Sequence, residues 1–253
     1  MAEHAGSEVP TSPDSMGDMQ LLLLEDDDGI RATLRMAMED EGYEVVEHAR
    51  AEDALAWVQT HQVSVMLVDL MLGGMDGLTY IHRVRAHSDA PIVVVSARAD
   101  TYDIVAALEA GADDYVTKPF KLQEITARLR ALKRRGRAAG TTDAGPAGSR
   151  ILLDGTGDAP LVLWPEAGEL RRGDDPVHLT VTEFRLLCEL AEAAGLVLSR
   201  QRLLELVWDR GFFGDERIVD VHVRRLRTKI EADPGAPRIV VTVRGLGYRL
   251  DPG

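Results

Sequence analysis

Between residues 19 and 135 the apolar residues gather in short runs, at Leu21–Leu24, Tyr43–Val46, Val63–Val68, Ile92–Val95 and Tyr115–Val116. Runs this short and this apolar read as strands buried on both faces. Between them the period changes to that of a helix, as in Ile30, Leu34 and Met38, or in Ile104, Ala107 and Leu108, where Gly111 stands in a C-cap position. Strands alternating with helices imply right-handed crossovers and a parallel sheet covered on both sides. The expectation is an α/β domain with a doubly wound five-stranded sheet.

The pattern stops at Lys133. From there to Arg150 the chain is aperiodic and rich in Gly, Ala and Pro, which places a flexible linker at residues 136–150. The stretch from Ile151 to Leu179 is broken every few residues by Gly, Asp or Pro, as in a small antiparallel sheet. Helical patterns follow at Thr182–Ala194, Arg200–Trp208 and Glu216–Glu231, and the segment from Ile239 to Leu250 reads as a closing hairpin. The organisation is therefore a tail at residues 1–18, a first domain at 19–135, the linker, and a second, α+β domain at 151–253, with no internal repeat. On the helix at 216–231, Val219, Val223, Leu226 and Ile230 follow one another at spacings of 4, 3 and 4 and form the core stripe. Arg217, Val221, Arg224 and Thr228 occupy the opposite face, flanked by Arg225 and Arg227.

The 253 residues are enough for two cores, and 45% apolar against 28% charged residues is globular composition. Aromatics are only 5%, so aliphatic side chains must carry the packing. No apolar run approaches the roughly 18 residues of a membrane span. The first twenty residues lack both basic residues and an apolar stretch, so they read as a solvated, disordered tail and not a signal peptide. A single cysteine, Cys188, excludes a disulfide framework and points to a reducing cytoplasm. The net charge of −13 is uneven: residues 1–140 carry 24 acids and 14 bases, net −10, and the remainder 18 and 15, net −3. Residues 216–249 hold 8 bases against 4 acids, a local excess of positive charge suited to an anionic partner.

Chemistry in parallel α/β sheets gathers at the carboxyl ends of the strands. Those ends carry Glu25 and Asp26, Asp69, Ser96 and Lys118, in strand order one, three, four and five. Carboxylates brought together repel unless a cation sits among them, and a hard divalent ion such as Mg²⁺ suits oxygen ligands. The segments Leu-Leu-Leu-Leu-Glu25-Asp26, Leu-Val-Asp69-Leu-Met-Leu-Gly-Gly-Met-Asp76-Gly77, Val-Val-Val-Ser96-Ala and Gly-Ala-Asp-Asp-Tyr115-Val-Thr-Lys118-Pro119-Phe resemble the receiver domain of two-component response regulators, a flavodoxin-like fold. The resemblance covers residues 19–135. It implies that Asp69 accepts a phosphoryl group from a sensor histidine kinase. It implies also that Asp26, Asp69 and the Met71 backbone carbonyl bind Mg²⁺, with Glu25 acting through water. Lys118 would offset developing charge, Ser96 would hydrogen-bond the phosphoryl group, Tyr115 would turn inward as the switch, and the Lys118–Pro119 bond would be cis.

The same resemblance implies dimerisation through the fourth helix, fifth strand and fifth helix, with pairs Asp114–Arg128 and Asp113–Arg130. Two positions depart from the family pattern. Ile104 replaces the basic partner of Glu124, which weakens or retunes the dimer, and Gly73 replaces a proline, which loosens the loop after Asp69.

In the second half, Leu179-Thr-Val-Thr-Glu183-Phe184, Leu198-Ser-Arg200-Gln-Arg-Leu203, Arg217-Ile-Val-Asp220-Val-His222-Val-Arg-Arg225-Leu-Arg227 and Thr242-Val-Arg244-Gly-Leu-Gly247-Tyr248-Arg249 resemble the winged helix-turn-helix domain of OmpR/PhoB-type regulators. The resemblance implies a recognition helix at 216–231 in the major groove. Arg217, Val221, His222, Arg224, Arg225 and Arg227 would face DNA there, and Arg244, Gly245 and Tyr248 would act from the wing. Asp220 and Trp208 read as structural. Together these features point to a cytoplasmic, phosphorylation-controlled transcriptional regulator and not to an enzyme. Its expected partners are promoter direct repeats, a sensor kinase, RNA polymerase and a second copy of itself. An aspartate-nucleophile phosphohydrolase would need an acid two residues after Asp69, where Met71 stands. A regulator that works without phosphate remains an open alternative.

Overall fold

The structure, a computed structural model, describes residues 19–136, 149–156, 158–208 and 216–253. The expected tail at 1–18 and most of the expected linker at 136–150 lie outside these residues.

The N-terminal lobe alternates strand and helix as the apolar runs require: β1 Met19–Leu24, α1 Asp28–Asp40, β2 Tyr43–His48, α2 Ala51–Val58, β3 Val65–Val68, α3 Gly77–Val84, β4 Ile92–Ser96, α4 Thr101–Ala110, β5 Asp114–Thr117 and α5 Leu122–Gly136. All five strands are parallel, in the order β2-β1-β3-β4-β5. Strand side chains alternate between two cores. Leu22, Leu24, Met66, Val68, Ile92 and Val94 pack on the side of α2, α3 and α4, whereas Leu21, Leu23, Val65, Leu67, Val93 and Val95 pack on the side of α1 and α5. Burial on both faces is why these strands read as unbroken apolar runs. Asp27, Asp76 and Asp100 cap α1, α3 and α4 by accepting first-turn amides.

The C-terminal lobe opens with a four-stranded antiparallel sheet, β6 Ile151–Asp154, β7 Leu161–Trp164, β8 Glu169–Arg172 and β9 Asp175–Pro176. Three helices follow, α6 Val181–Glu192, α7 Arg200–Trp208 and α8 Arg217–Ile230, then the hairpin β10 Val240–Val243 and β11 Gly247–Leu250. Val219, Val223, Leu226 and Ile230 are fully buried, as their spacing requires. A capping box starts α6: the Thr180 amide donates to Glu183 Oε2 at 3.0 Å, and the Glu183 amide donates to Thr180 Oγ1. Glu183 is itself buried and draws Lys229 Nζ to 2.7 Å and Arg225 to 2.9 Å, which ties α8 to the start of α6.

The two wing glycines serve different ends. Gly245, at φ +74°, turns the hairpin in open space. Gly247, at φ +146°, exchanges no turn role of this kind; it lets β11 lie against Leu198, where Tyr248 and Leu198 trade backbone hydrogen bonds of 2.8 and 2.9 Å. A Cβ there would stand 2.0 Å from the Leu198 carbonyl oxygen. Gly247→Ala should therefore cost the C-terminal lobe about 3 kcal/mol or more, as overpacking against backbone does, while Gly245→Ala costs about 1 kcal/mol; urea unfolding of the full chain measures both.

Candidate functional site: an acidic strand-end cluster and a docked basic helix

The carboxyl ends of β1, β3, β4 and β5 bring together the five groups singled out in the sequence. Carboxylate oxygens of Glu25, Asp26 and Asp69 lie within 4.8 Å of one another. Lys118 Nζ donates to Glu25 Oε2 at 2.7 Å and to Asp69 Oδ2 at 2.8 Å, and the Met71 amide donates to Asp69 Oδ1 at 3.0 Å. Burial pushes the Glu25 carboxyl above its ordinary range despite the Lys118 hydrogen bond. Burial would also lower the Lys118 ammonium, but its hydrogen bonds to Asp69 and Glu25 prevail and hold it above its ordinary value. Asp69 and Glu25 are buried while Asp26 is exposed, so the cluster opens to solvent on one side.

Three carboxylates face one ammonium, and buried Glu25 Oε1 has no hydrogen-bond partner among the described residues. Both facts fit a divalent cation with oxygen ligands. Ser96 is fully buried, its hydroxyl beside that of Tyr115. The Lys118–Pro119 peptide is cis. Tyr115 sits inward, its hydroxyl donating to the Arg98 carbonyl at 2.6 Å.

In the C-terminal lobe Asp220 and Tyr248 organise the wing. Asp220 accepts from Arg200 Nε and from the Tyr248 hydroxyl, each at 2.6 Å, and the Arg200 and Arg227 guanidiniums lie over the Tyr248 ring at 5.1 and 5.5 Å. Arg227 donates to the Val240 carbonyl and to Thr242 Oγ1, both at 2.8 Å. Tyr248 and Arg227 thus hold wing to helix and, in this arrangement, are spent on that. Arg217, Arg224, Arg244 and Gly245 are exposed.

Comparison with known proteins bears on both lobes. Residues 21–130 match the family described as "Response regulator receiver domain", and residues 174–250 match "Transcriptional regulatory protein, C terminal". The transcriptional regulatory protein CseB of Streptomyces coelicolor is 46% identical over 234 residues, covering 91% of this chain and 97% of that protein. The transcriptional regulatory protein AfsQ1 of the same species is 42% identical over 232 residues, covering 92% and 98%. The chain belongs to the OmpR/PhoB-type response regulators. A solved RitR mutant is similar in structure, with a TM-score of 0.67 at 25% identity, covering 92% of this chain and 99% of that one. The N-terminal lobe is thus the receiver and the C-terminal lobe the winged-helix, DNA-binding effector of a two-component transcriptional regulator.

Sequence reasoning did not foresee where the effector sits. Helix α8 packs on α4 of the receiver, and α6 packs on α5, so that one apolar cluster runs through both lobes. Arg225 donates to the carbonyls of Leu108 and Ala112, at 3.2 and 2.9 Å, and so places a guanidinium at the negative end of α4 while still paired with Glu183. Arg224 pairs with Glu109 at 3.0 Å. The Asp113 carbonyl accepts from both Trp208 Nε1 and His222 Nε2, each at 3.2 Å. A carbonyl can only accept, so the neutral imidazole carries its proton on Nε2. Val221 and His222 are buried and Arg225 is committed; none of the three can reach a DNA groove while the lobes are docked. Trp208, read as a core aromatic, is an inter-lobe donor as well.

The expected dimer pairs are also differently employed. Asp113 is fully buried and bonds Arg85 at 2.6 Å and the Ile92 amide at 2.9 Å, which excludes a surface pair with Arg130. The side chain of Arg130 lies outside the described residues. Asp114 and Arg128 do pair, but within one chain, through two contacts of 2.8 Å, and Arg128 also holds Glu124 at 2.8 Å. Burial makes these intrachain partners stronger than an exposed intersubunit pair would be. Ile104, half-buried, packs against the common core.

His222 supplies a pH dependence. Burial pushes its pKa down to about 4 from 6.5, with Arg225 adding to the effect and Asp113 and Glu183 opposing it. Undocking hydrates the ring and restores its ordinary value. The undocked chain then binds more protons between those limits, so docking is strongest above about 6.5 and weakens as pH falls toward about 4. Trp208 fluorescence in a Trp57→Phe, Trp164→Phe chain should report this loosening between pH 7 and 5, before global unfolding; a flat profile would show that His222 does not sense docking.

Proposed function

We propose that this regulator is switched by phosphorylation of Asp69 in an Mg²⁺-dependent reaction with a sensor histidine kinase, and that the docked arrangement is its resting state. The observation that carries the reading is the strand-end cluster, in which a buried carboxylate, a lysine within 2.8 Å and two further acids converge. Asp26, Asp69 and the Met71 carbonyl would hold the ion and Glu25 would act through water. The ion supplies positive charge against the oxygens of the incoming phosphoryl group. The chain's own residues do the rest. Asp69 is the nucleophile, Lys118 neutralises it and remains to pair the new anion, and Ser96, the last residue of β4, donates its hydroxyl to that anion. No acid stands two residues beyond Asp69, so Met71 leaves the site without a proton donor for turnover, and the protein is a switch and not a phosphatase.

Phosphorylation adds nearly two negative charges beside Ser96 and Lys118 at the ends of β4 and β5. Asp113, directly preceding β5, carries the carbonyl on which Trp208 and His222 rest. A shift of β5 and α4 toward the phosphoryl group withdraws those acceptors from α8. Release would free two surfaces together. The helix that carries Arg224 and Arg225 becomes available to DNA, and the α4–β5–α5 face becomes available to a second receiver. Dimerisation then joins two weak DNA contacts into one stronger one on direct repeats, with RNA polymerase as the onward partner. No described helix is long and apolar enough to cross a membrane.

Acetyl phosphate with Mg²⁺ should add a phosphoryl mass to the wild type and none to Asp69→Asn; a persistent gain in the variant would remove Asp69 from the role. Glu109→Arg alters only the receiver side of the docked pair and sets like charges against Arg224 and Arg225. It should raise the DNA affinity of the unphosphorylated chain by about five- to tenfold in a gel-shift series, a typical inter-site coupling. Unchanged affinity together with an unchanged Trp208 environment would show that docking does not restrain DNA binding.

A further inference from the structure

The loop between Asp69 and α3 contains two consecutive glycines, Gly73 and Gly74, and glycine loses the most conformational freedom on ordering. Its ends are secured locally. The Met71 amide bonds Asp69, the Gly77 amide bonds the Leu70 carbonyl at 3.2 Å, and Asp76 caps α3 through the Thr79 amide and hydroxyl at 3.0 and 2.6 Å. The glycine stretch in between is held from another element. Glu52, in the first turn of α2, accepts the Met75 amide on Oε1 at 2.9 Å, and Arg50 approaches its other oxygen at 3.6 Å. Gly74 stands at φ +97°, and a Cβ on it would meet Glu52 Oε1 at 2.8 Å. A side chain at Gly74 would strain that backbone conformation and push the Glu52 carboxylate aside.

We infer that Glu52 is a positioning residue for phosphoryl transfer: by holding the Met75 amide it fixes the Gly73–Gly74 loop, and through it the backbone carbonyl of Met71 beside Asp69. The inference rests on the proposed role of that carbonyl as an ion ligand. Three observations separate it from an ordinary acid at a helix start. The bond spans 23 residues in sequence, from α2 to a loop on the far side of β3. Glu52 also serves more than its own helix start: beside its own first-turn amide its carboxylate accepts the Met75 amide, while Arg50, the N-cap, makes no side-chain capping bond. Finally, the glycine that makes room for Glu52 lies in the same loop as Met71. Bonds to its own and the Met75 backbone amides hold the Glu52 carboxyl below the usual range, so it stays an acceptor at neutral pH.

The test uses the full-length chain with Glu52→Ala and Glu52→Gln. Calorimetric titration with Mg²⁺ gives ion affinity, hydrogen exchange gives opening of the Met75 amide, and intact mass gives the rate of phosphorylation by acetyl phosphate. Glu52→Ala should weaken Mg²⁺ binding about tenfold, the lower end for loss of a residue that orients a metal ligand. It should speed Met75 exchange and slow phosphorylation at sub-saturating Mg²⁺, with recovery at high Mg²⁺. Glu52→Gln keeps an amide oxygen able to accept the same N–H and should restore most of all three. Unchanged Mg²⁺ affinity in an alanine variant whose Met75 amide exchanges faster would make Glu52 structural only, and unchanged exchange would deny the tether itself. Should the wild type bind Mg²⁺ but take up no phosphoryl group, the role of Asp69 falls while Glu52 is still judged by affinity and exchange. Should it bind no Mg²⁺ at all, the inference falls with the ion site.

Discussion

Like charges at one edge of a sheet are the constraint from which this molecule is built. Parallel strands end together, so side chains that follow them converge, and here three of the convergent groups are carboxylates. One lysine, reaching two of them, keeps the cluster together but leaves it short of positive charge. The deficit is the functional property. A site that already balanced its charge would gain little from a cation, whereas one short of positive charge is suited to take one up.

The opposite ends of the same elements carry the second site. β5 has four residues, roughly 13 Å at the usual rise per residue, with Lys118 following it and Asp113 preceding it. Asp113 is anchored by its side chain to Arg85 inside the receiver, while its carbonyl, together with those of Leu108 and Ala112, faces the effector. Arg225 is shared in the same way between Glu183 of its own lobe and α4 of the other. Buried, hydrogen-bonded charges of this kind have few alternative arrangements. Competition follows from geometry: one face of α8 cannot be both covered by α4 and placed in a groove.

The loop after Asp69 shows how local freedom is managed near such a site. Two glycines give it room to approach α2, and a carboxylate from α2 takes away part of the freedom they confer. The sequence showed Gly73 as a loosening, and the fold supplies the restraint.

The receiver's strands and the five strand-end groups were legible in the sequence, because a two-faced sheet demands unbroken apolar runs and the chemistry must follow at their ends. The same held for the core stripe of α8, where Val219, Val223, Leu226 and Ile230 record a helical period. What the sequence could not settle was which partner each polar group takes. Asp113 and Asp114 are neighbours of the same type, yet one is buried against Arg85 and the other meets Arg128. His222, Arg225 and Trp208 lie on or beside a basic helix whose pattern suits DNA, and docking turned all three toward the receiver. Periodicity reports the side of an element that avoids water, a local property. The choice between a groove, a neighbouring lobe and a second chain depends on contacts between residues about 90 to 120 positions apart, such as Asp113 with Trp208 and Leu108 with Arg225, and only the tertiary structure decides those.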